Sequence, residues 1–174
     1  MKKLMAFAGM LLLCGAPAVG HAQAAAYGTF SVTKAQNLQT DNILYGATTG
    51  LLLTRPEGFK ALHFGADVQG RFVRTGSFDF DAITFGPRVQ LPRVIGLRPY
   101  AEFLVGFARV NSPADQAKAS TDSTIQINGG LMKRITPRVD LVGEYSYSQL
   151  FAFGGEYNPK TFSVGAVYYF SRRE

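Results

Sequence analysis

The clearest pattern in the chain is the alternation of apolar and polar side chains between Leu62 and Phe72. One set of alternate positions holds Leu62, Phe64, Ala66, Val68, Gly70 and Phe72, and the other holds His63, Gly65, Asp67, Gln69 and Arg71. Because successive side chains of a β-strand point to opposite sides, this segment predicts a strand with one apolar and one charged face. Such a strand suits a soluble sheet with a buried apolar face. It also suits a transmembrane barrel, whose apolar side chains face lipid and whose polar ones face the lumen.

Similar alternation recurs along the chain and predicts eight strands. They are Ala26–Thr33, Ile43–Thr54, Phe59–Val73, Phe78–Leu91, Leu97–Val110, Ser123–Lys133, Arg138–Leu150 and Lys160–Ser171. Each reaches or approaches the roughly 9–11 residues that a tilted strand needs to cross a bilayer. Pro87 fits least, because a closed barrel has no free edge for a residue without an amide donor, so we expect a β-bulge at Gly86–Pro87.

The predicted connections alternate between short and long. Arg55–Gly58, Leu91–Gly96 and Arg134–Pro137 are tight and contain proline, whereas Lys34–Asn42, Asn111–Asp122 and Ala152–Pro159 are longer and more polar. Short turns at one end and long loops at the other are typical of transmembrane barrels. The link at Arg74–Ser77 is short and departs from this pattern.

The first residues predict a secretory signal peptide. Lys2 and Lys3 precede an apolar stretch, Leu4–Leu13, and small residues follow in Ala16–Ala24. The apolar stretch is far shorter than the ~20 residues of a spanning helix. Two cleavage sites fit, after Ala22 and after Ala24, and we expect residues 1–22 to be removed, which leaves residues 23–174 as one β-barrel domain. Cleavage would also remove Cys14, so no disulfide or thiol chemistry is expected.

Composition agrees with an all-β domain. Phe (14 residues), Tyr (8) and Gly (19) are frequent, and Trp is absent. Loss of Lys2 and Lys3 lowers the formal charge from +6 to +4, with 16 basic and 12 acidic side chains left. The basic residues are dispersed, so nucleic acid is not an expected partner. The longest apolar run after the signal peptide, Ile43–Leu53, is interrupted by Gly and Thr, so any insertion into a membrane requires a closed barrel.

The charged residues on predicted inward positions form the main candidate site. They are Asp67, Arg71, Arg88, Glu102, Asp140 and Glu144. The bore of an eight-stranded barrel is only wide enough for side chains to fill it, and an unpaired buried charge costs several kcal/mol. We therefore expect opposite charges to pair as a structural plug. The alternative is a gate, in which a switch of ion-pair partners opens a narrow water path.

Other candidate chemistry is sparse. His63 is the only histidine after the signal peptide, and Asp67 shares its strand face, but there is no His-x-Ser pair and the predicted face is the luminal one. Asp79 and Asp81 could hold a divalent cation, although two carboxylates make a weak site and solvated charges are the simpler expectation. We therefore predict no catalytic, cofactor or metal site. Predicted outward aromatic side chains would face lipid, and they are Phe72, Phe103, Phe107, Tyr145, Tyr147, Tyr168 and Phe170.

A family resemblance rests on two segments and on the last strand. The segments are Phe85-Gly86-Pro87-Arg88-Val89 and Leu97-Arg98-Pro99-Tyr100-Ala101, and the last strand alternates up to Phe170. From Tyr27 to Phe170 the chain resembles the outer-membrane β-barrel domain family, small eight-stranded barrels similar to the OmpA transmembrane domain and OmpX. The resemblance implies an antiparallel up-and-down barrel in a bacterial outer membrane with both ends in the periplasm. It also implies a closing strand that the barrel assembly machinery recognises by its last aromatic residue, although Ser171–Glu174 follow that residue here.

The expected function is that of a monomeric, non-enzymatic integral outer-membrane protein. It would stabilise the envelope or present its extracellular loops to a surface partner, with outer-membrane lipids and lipopolysaccharide around it. A narrow gated pore is one alternative. The other is a soluble periplasmic barrel of the lipocalin type, in which Leu62, Phe64, Val68 and Phe72 would line a ligand cavity.

Overall fold

The computed structural model describes residues 23–34, 43–55, 62–75, 78–111, 120–152 and 155–171. The predicted signal peptide, residues 1–22, lies outside these ranges, as do residues 35–42 and 112–119, which make up most of two predicted loops, and residues 56–61. The strands are β1 (Gln23–Lys34), β2 (Ile43–Thr54), β3 (His63–Thr75), β4 (Phe78–Gln90), β5 (Leu97–Asn111), β6 (Ser120–Thr136), β7 (Val139–Ala152), β8 (Gly155–Tyr157) and β9 (Lys160–Tyr169). No helix in the described ranges is long and apolar enough to cross a membrane.

The strands close into a barrel. Each of β1 to β7 pairs antiparallel with the next strand, β7 pairs with β9, and β9 pairs with β1. The predicted eight-stranded antiparallel up-and-down transmembrane β-barrel is therefore confirmed. We call the end that holds Gln23 and Tyr169 the terminal end, and the end that holds Lys34 and Ile43 the loop end.

The strand register determines how wide the barrel is. Cα partners can be followed once around it, through Gln23, Thr54, Gly65, Arg88, Glu102, Asn128, Ser146, Thr161 and Thr33. The path leaves β1 at residue 23 and returns to it at residue 33, so one circuit is staggered by ten residues. Strand number and stagger together fix the tilt and the diameter, and eight strands leave an interior that side chains can fill.

Together, β8 and β9 form the eighth strand of the barrel. Leu150 pairs with Tyr157 and Tyr147 pairs with Lys160 in one unbroken register, so β8 continues β9 across Pro159. The carbonyl of Pro159 accepts a hydrogen bond from the Ser148 amide at 3.0 Å, which carries the pairing past the proline. The prediction of a long polar loop at Ala152–Pro159 is therefore wrong, because residues 155–157 form a strand in a tight hairpin with β7.

Pro87 is accommodated without an inserted residue. The pairs Phe85–Val105 and Arg88–Glu102 flank a gap of two residues on each strand, so the β4–β5 register is the same on both sides. Because proline has no amide hydrogen, one backbone hydrogen bond between the strands is missing here, but the register does not change. The predicted bulge at Gly86–Pro87 is therefore wrong. A register shift occurs instead between β6 and β7, between Arg134 and Thr136.

The two faces of the strands separate as the alternation predicts. On β3, Phe64, Val68 and Phe72 are 50%, 51% and 43% exposed on the outside, whereas Asp67 and Arg71 are buried inside. This orientation contradicts the lipocalin alternative, in which the same apolar side chains would line a cavity. The predicted outward aromatic residues also lie outside: Phe72, Phe103, Phe107, Tyr145, Tyr168 and Phe170 are exposed, and Tyr147 is partly exposed.

The outer surface carries an apolar belt. On β3 the outward positions from Leu62 to Phe72 hold no charged side chain. The ten steps of about 3.3 Å from Leu62 to Phe72, on a strand tilted by about 40°, span about 25 Å along the barrel axis, the height of a lipid-facing band. Exposed charges of the described residues flank the belt, with Lys34, Arg74 and Arg109 at the loop end and Arg55, Arg93, Lys133 and Arg138 at the terminal end.

Gly86 should be a position at which a methyl group is not tolerated. A Cβ atom there would collide with the Phe103 carbonyl and lie 3.0 Å from the Leu104 Cα, and both are backbone atoms that cannot rotate away. We expect Gly86→Ala to lower the free energy of unfolding by about 2 kcal/mol, in urea titrations of the barrel folded in lipid vesicles. Gly129→Ala is the matched control, because a Cβ at Gly129 would meet nothing within 4 Å. Equal effects of the two substitutions would contradict the close approach of β4 and β5.

Candidate functional site

Two clusters of buried apolar side chains lie toward the two ends of the lumen. The terminal cluster consists of Ala25, Tyr27, Leu52, Tyr100, Met132, Val142, Val167 and Tyr169. The loop-end cluster consists of Leu44, Val73, Phe80, Ala82, Ala108 and Leu150. Between them lies a polar layer that holds most of the predicted inward charges. All six of those charged side chains are buried, as predicted.

Arg88 is the centre of the polar layer. Its Nη1 atom donates to Glu102 Oε1 at 2.7 Å and to Asp67 Oδ2 at 3.2 Å. Arg88 and Glu102 are direct cross-strand partners, and Asp67 lies on the strand at the other side of β4. The guanidinium also lies 3.7 Å from the centre of the Tyr100 ring, and its Nη2 atom is 3.1 Å from Met132 Sδ. One cation thus balances carboxylates on both neighbouring strands and packs on an aromatic face.

Arg71 crosses the lumen. It starts on β3, and its Nη2 atom donates to Ser146 Oγ on β7 at 2.9 Å and lies 3.6 Å from Glu144 Oε1. Strands β3 and β7 are four apart in a ring of eight, so the side chain joins opposite walls. Its Nε atom donates to Thr48 Oγ1 at 3.2 Å. The extended arginine therefore spans the bore at this height.

Two tyrosines reach carboxylates across intervening glycines. Tyr27 on β1 passes over Gly50 on β2 and donates to Asp67 Oδ1 on β3 at 2.9 Å. In the other half of the barrel, Tyr100 on β5 passes over Gly130 on β6 and donates to Glu144 Oε2 on β7 at 2.8 Å. A Cβ atom on either glycine would collide with the tyrosine ring, so the missing side chain at each glycine leaves the space through which the tyrosine crosses.

Amide side chains connect these groups into one network. The Nε2 atom of Gln126 donates to Gln69 Oε1 at 2.6 Å and to Asn128 Oδ1 at 2.7 Å. Asn128 Nδ2 donates to Glu102 Oε2 at 2.8 Å, and Gln69 Nε2 donates to the Tyr27 hydroxyl at 3.1 Å. Asp67, Glu102 and Glu144 therefore each lie next to an arginine and accept from at least one neutral donor. Buried carboxylates satisfied in this way avoid the penalty of an unpaired charge.

Asp140, the sixth predicted inward charge, lies apart from this network. It is buried near the terminal cluster, and its Oδ2 atom accepts a hydrogen bond from the Tyr169 hydroxyl at 3.3 Å. The polar layer consequently brings together five of the six predicted charged residues.

Two of the remaining candidate carboxylates, Asp67 and Asp81, are engaged by other side chains. Both carboxylate oxygens of Asp67 are engaged by Tyr27 and Arg88, so this side chain is committed to the network rather than to His63. Asp81 forms a bidentate ion pair with Arg74 on the outer surface, at 2.6 and 2.9 Å, and the side chain of Asp79 lies outside the description. Within the described residues, no group of three or more His, Cys, Asp or Glu side chains could hold a metal ion.

Sequence reasoning missed the crossing tyrosines and the two apolar clusters. The signal for the crossings is an inward tyrosine whose cross-strand partner is glycine, as at Tyr27–Gly50 and Tyr100–Gly130. The apolar clusters leave a weaker signal. Inward positions such as Leu44, Val73 and Leu150 turn apolar near the strand ends while the outward positions remain apolar.

Comparisons with known proteins place this fold among outer-membrane barrels. No protein-family model and no curated protein matches the chain. Among solved structures, Neisserial surface protein A is 15% identical with a TM-score of 0.56, and the match covers 86% of this chain and 97% of that one. The outer membrane enzyme PagL is 9% identical (TM-score 0.54, 82% and 98% covered), and the N-terminal β-barrel domain of Pseudomonas aeruginosa OprF is 13% identical (0.52, 84% and 99%). At these identities the likeness shows the fold alone, and it confirms the predicted resemblance to small eight-stranded outer-membrane barrels.

Removal of the central cation should be far more costly than removal of an exposed one. Arg88→Ala leaves Asp67 and Glu102 buried without their cation, and we expect a loss of about 3–5 kcal/mol in the free energy of unfolding. Arg74→Ala removes an ion pair of similar length on the outer surface and should cost no more than about 1 kcal/mol. Urea titrations in vesicles would measure both.

A rescue variant keeps this test decisive if Arg88→Ala fails to fold. Adding Asp67→Asn and Glu102→Gln removes the stranded carboxylates and should restore most of the lost stability. The central role of Arg88 would be contradicted if both arginine variants lost equally little stability, or if the neutral carboxamides gave no rescue.

Proposed function

We propose that this protein is a monomeric, non-enzymatic barrel of the bacterial outer membrane whose lumen does not conduct. Its role would be to stabilise the envelope or to present its loops to a surface partner. The observation that carries this proposal is the division, among the described residues, between an outer belt free of charge and a lumen occupied by buried apolar and hydrogen-bonded polar side chains. A protein built in this way can contact other molecules only through its outer surface and its loops.

The filled lumen favours a plug over a gate. A water path would require Arg71 and Arg88 to leave their partners, and it would also require the terminal and loop-end clusters to separate. Narrow apolar constrictions exclude water by themselves. Switching ion pairs alone would therefore not open a path from one end to the other.

The residues around His63 favour a non-enzymatic role, whereas the fold by itself does not. PagL is an enzyme with this fold, so architecture alone decides nothing. A nucleophile needs a general base within hydrogen-bond reach, and the base in turn needs an orienting group. In this barrel the carboxylate that shares a strand face with His63, Asp67, is held by Tyr27 and Arg88.

In the cell, the barrel would be exported to the periplasm and inserted into the outer membrane. The signal peptide would direct export, and the assembly machinery would recognise the last strand with its outward Tyr168 and Phe170. The terminal end would face the periplasm and the phospholipid leaflet. The loop end would face lipopolysaccharide.

One experiment tests the membrane barrel directly. The full chain is overexpressed, and its membrane fraction is analysed on SDS gels with and without boiling. We expect a mobility shift on boiling, because a closed barrel stays folded in SDS until it is heated. Release of the protein by osmotic shock without a shift would contradict the proposal.

A conductance measurement tests the closed lumen separately. The wild type and the variants Glu102→Ala and Arg88→Ala are reconstituted in planar bilayers. We expect near-zero single-channel conductance in all three, because the two apolar clusters remain in place. Stable openings that appear only in the variants would support the gated pore instead.

A further inference from the structure

The exposed charges at the terminal end are all of one sign. Among the described residues, those beyond the apolar belt at this end are Arg55, Arg93, Lys133 and Arg138, with Arg134 partly exposed beside them. The acidic residues described in this half of the barrel point into the lumen and are buried: Asp67, Glu102, Asp140 and Glu144. At the loop end, by contrast, the acidic Asp81 is paired with Arg74 on the outer surface. The described residues of the terminal end therefore present several exposed basic side chains and no exposed acidic one, and we call these basic side chains the cationic ring.

Apolar side chains project from the same turns. Val94 and Ile95 are 58% and 96% exposed in the β4–β5 turn, and Ile135 is 53% exposed at the end of β6, just before the β6–β7 turn. Ile95 adopts a positive φ of 54° and is followed by Gly96 at 76°. A β-branched residue is disfavoured in this left-handed conformation, and such hairpin turns usually hold Asn, Asp or Gly. With almost no part of the side chain packed on the protein, the fold itself gains nothing from isoleucine here.

This ring continues the lipid-facing belt. Leu91 follows the end of β4 and lies two residues before Arg93, and Leu131 lies two residues before Lys133 on β6. Both leucines are exposed on the outside. Cations that adjoin apolar side chains are the pattern of a surface that rests in the interface of an anionic membrane. The basic groups meet lipid phosphates, and the apolar groups enter the region between the headgroups.

We propose that this terminal rim, defined as Arg55, Arg93–Ile95, Lys133–Ile135 and Arg138, binds anionic phospholipid headgroups. The arginine and lysine side chains hold the lipid phosphates, and Ile95 and Ile135 insert beside them. This inference rests on the proposed membrane location, with the terminal end facing the phospholipid leaflet. It accounts for both the exposed basic side chains and the presence of an exposed isoleucine at a positive φ.

The first test compares two variants of equal net charge. One is Arg55→Gln/Lys133→Gln/Arg138→Gln, and the matched control at the loop end is Lys34→Gln/Arg109→Gln/Lys160→Gln. Each folded barrel is reconstituted in nanodiscs that mix phosphatidylglycerol and phosphatidylcholine, and the lipids that stay bound are identified by native mass spectrometry. We expect several-fold enrichment of phosphatidylglycerol on the wild type and the control, and none on the terminal-rim variant.

Other outcomes of this test overturn the proposal. Equal loss of enrichment in both variants would mean attraction by net charge alone, and unchanged enrichment in the terminal-rim variant would place the lipid elsewhere. Inorganic phosphate is added in a separate arm. Displacement of the lipid by free phosphate at millimolar concentration would show a simple anion site, which lacks the predicted contribution of the apolar side chains.

The second test locates Ile95 itself. Residues 23–174 contain no cysteine, so Ile95→Cys gives a single spin-labelling site on the barrel in phosphatidylglycerol vesicles. We expect the label to be more accessible to dissolved oxygen than to a water-soluble nickel complex, as at the belt reference Phe103→Cys. Preferential access of the nickel complex would overturn insertion. A barrel that does not enter vesicles at all would instead contradict the proposed function, so the two failures are distinguishable.

Discussion

An eight-stranded barrel has so narrow a bore that every inward side chain must pack against another inward side chain. With a stagger of ten residues, the walls are close enough for Arg71 on β3 to contact Ser146 on β7. They are also close enough for Gln69 on β3 to accept from Gln126 on β6. Charge placed in this interior must be neutralised within the protein, because little room remains for water. The composition of the lumen follows from that constraint, and so does its closure.

The polar layer meets this constraint with shared partners. Arg88 serves Asp67 and Glu102 together, and each of these carboxylates has a second, neutral donor. Networks of this kind gain little over a well-packed apolar core, but they tolerate few alternative arrangements. We interpret the layer as a device that specifies register. A shift of any strand by one residue would move its buried charges to the lipid side.

The outward and inward side chains of the same strands have opposite requirements for partners within the protein. The exposed apolar positions need no partner within the protein because lipid covers them, whereas the inward polar positions need several. Glycines on these strands provide the space that the close packing of the lumen and of neighbouring strands needs. Gly50 and Gly130 give the tyrosines space to cross, and Gly86 lets β4 approach the backbone of β5.

The strand faces could be predicted from the sequence because alternation is a local property. From Leu62 to Phe72 the apolar side chains face outward and the polar ones face the lumen, as their alternation along the chain predicts. Contacts across the bore could not be predicted in this way, because Arg71 and Ser146 are joined only once the barrel has closed with its particular stagger. Pro87 and Pro159 misled the prediction for one reason. A proline has no amide hydrogen to donate but keeps its carbonyl acceptor. A strand can therefore continue past a proline with the loss of one backbone hydrogen bond.

The central claim is that the polar layer is sealed from water, and hydrogen exchange of the arginine side chains tests it most directly. Arg88 Nε is buried and has no hydrogen-bond partner among the described residues, so only the exclusion of water could slow its exchange. In deuterated buffer, NMR of the folded barrel should show Nε–H signals of Arg88 and Arg71 that persist long after that of the exposed Arg74 has disappeared. Exchange of Arg88 as fast as that of Arg74 would mean that water reaches the middle of the bore, and the account of a closed lumen would be wrong.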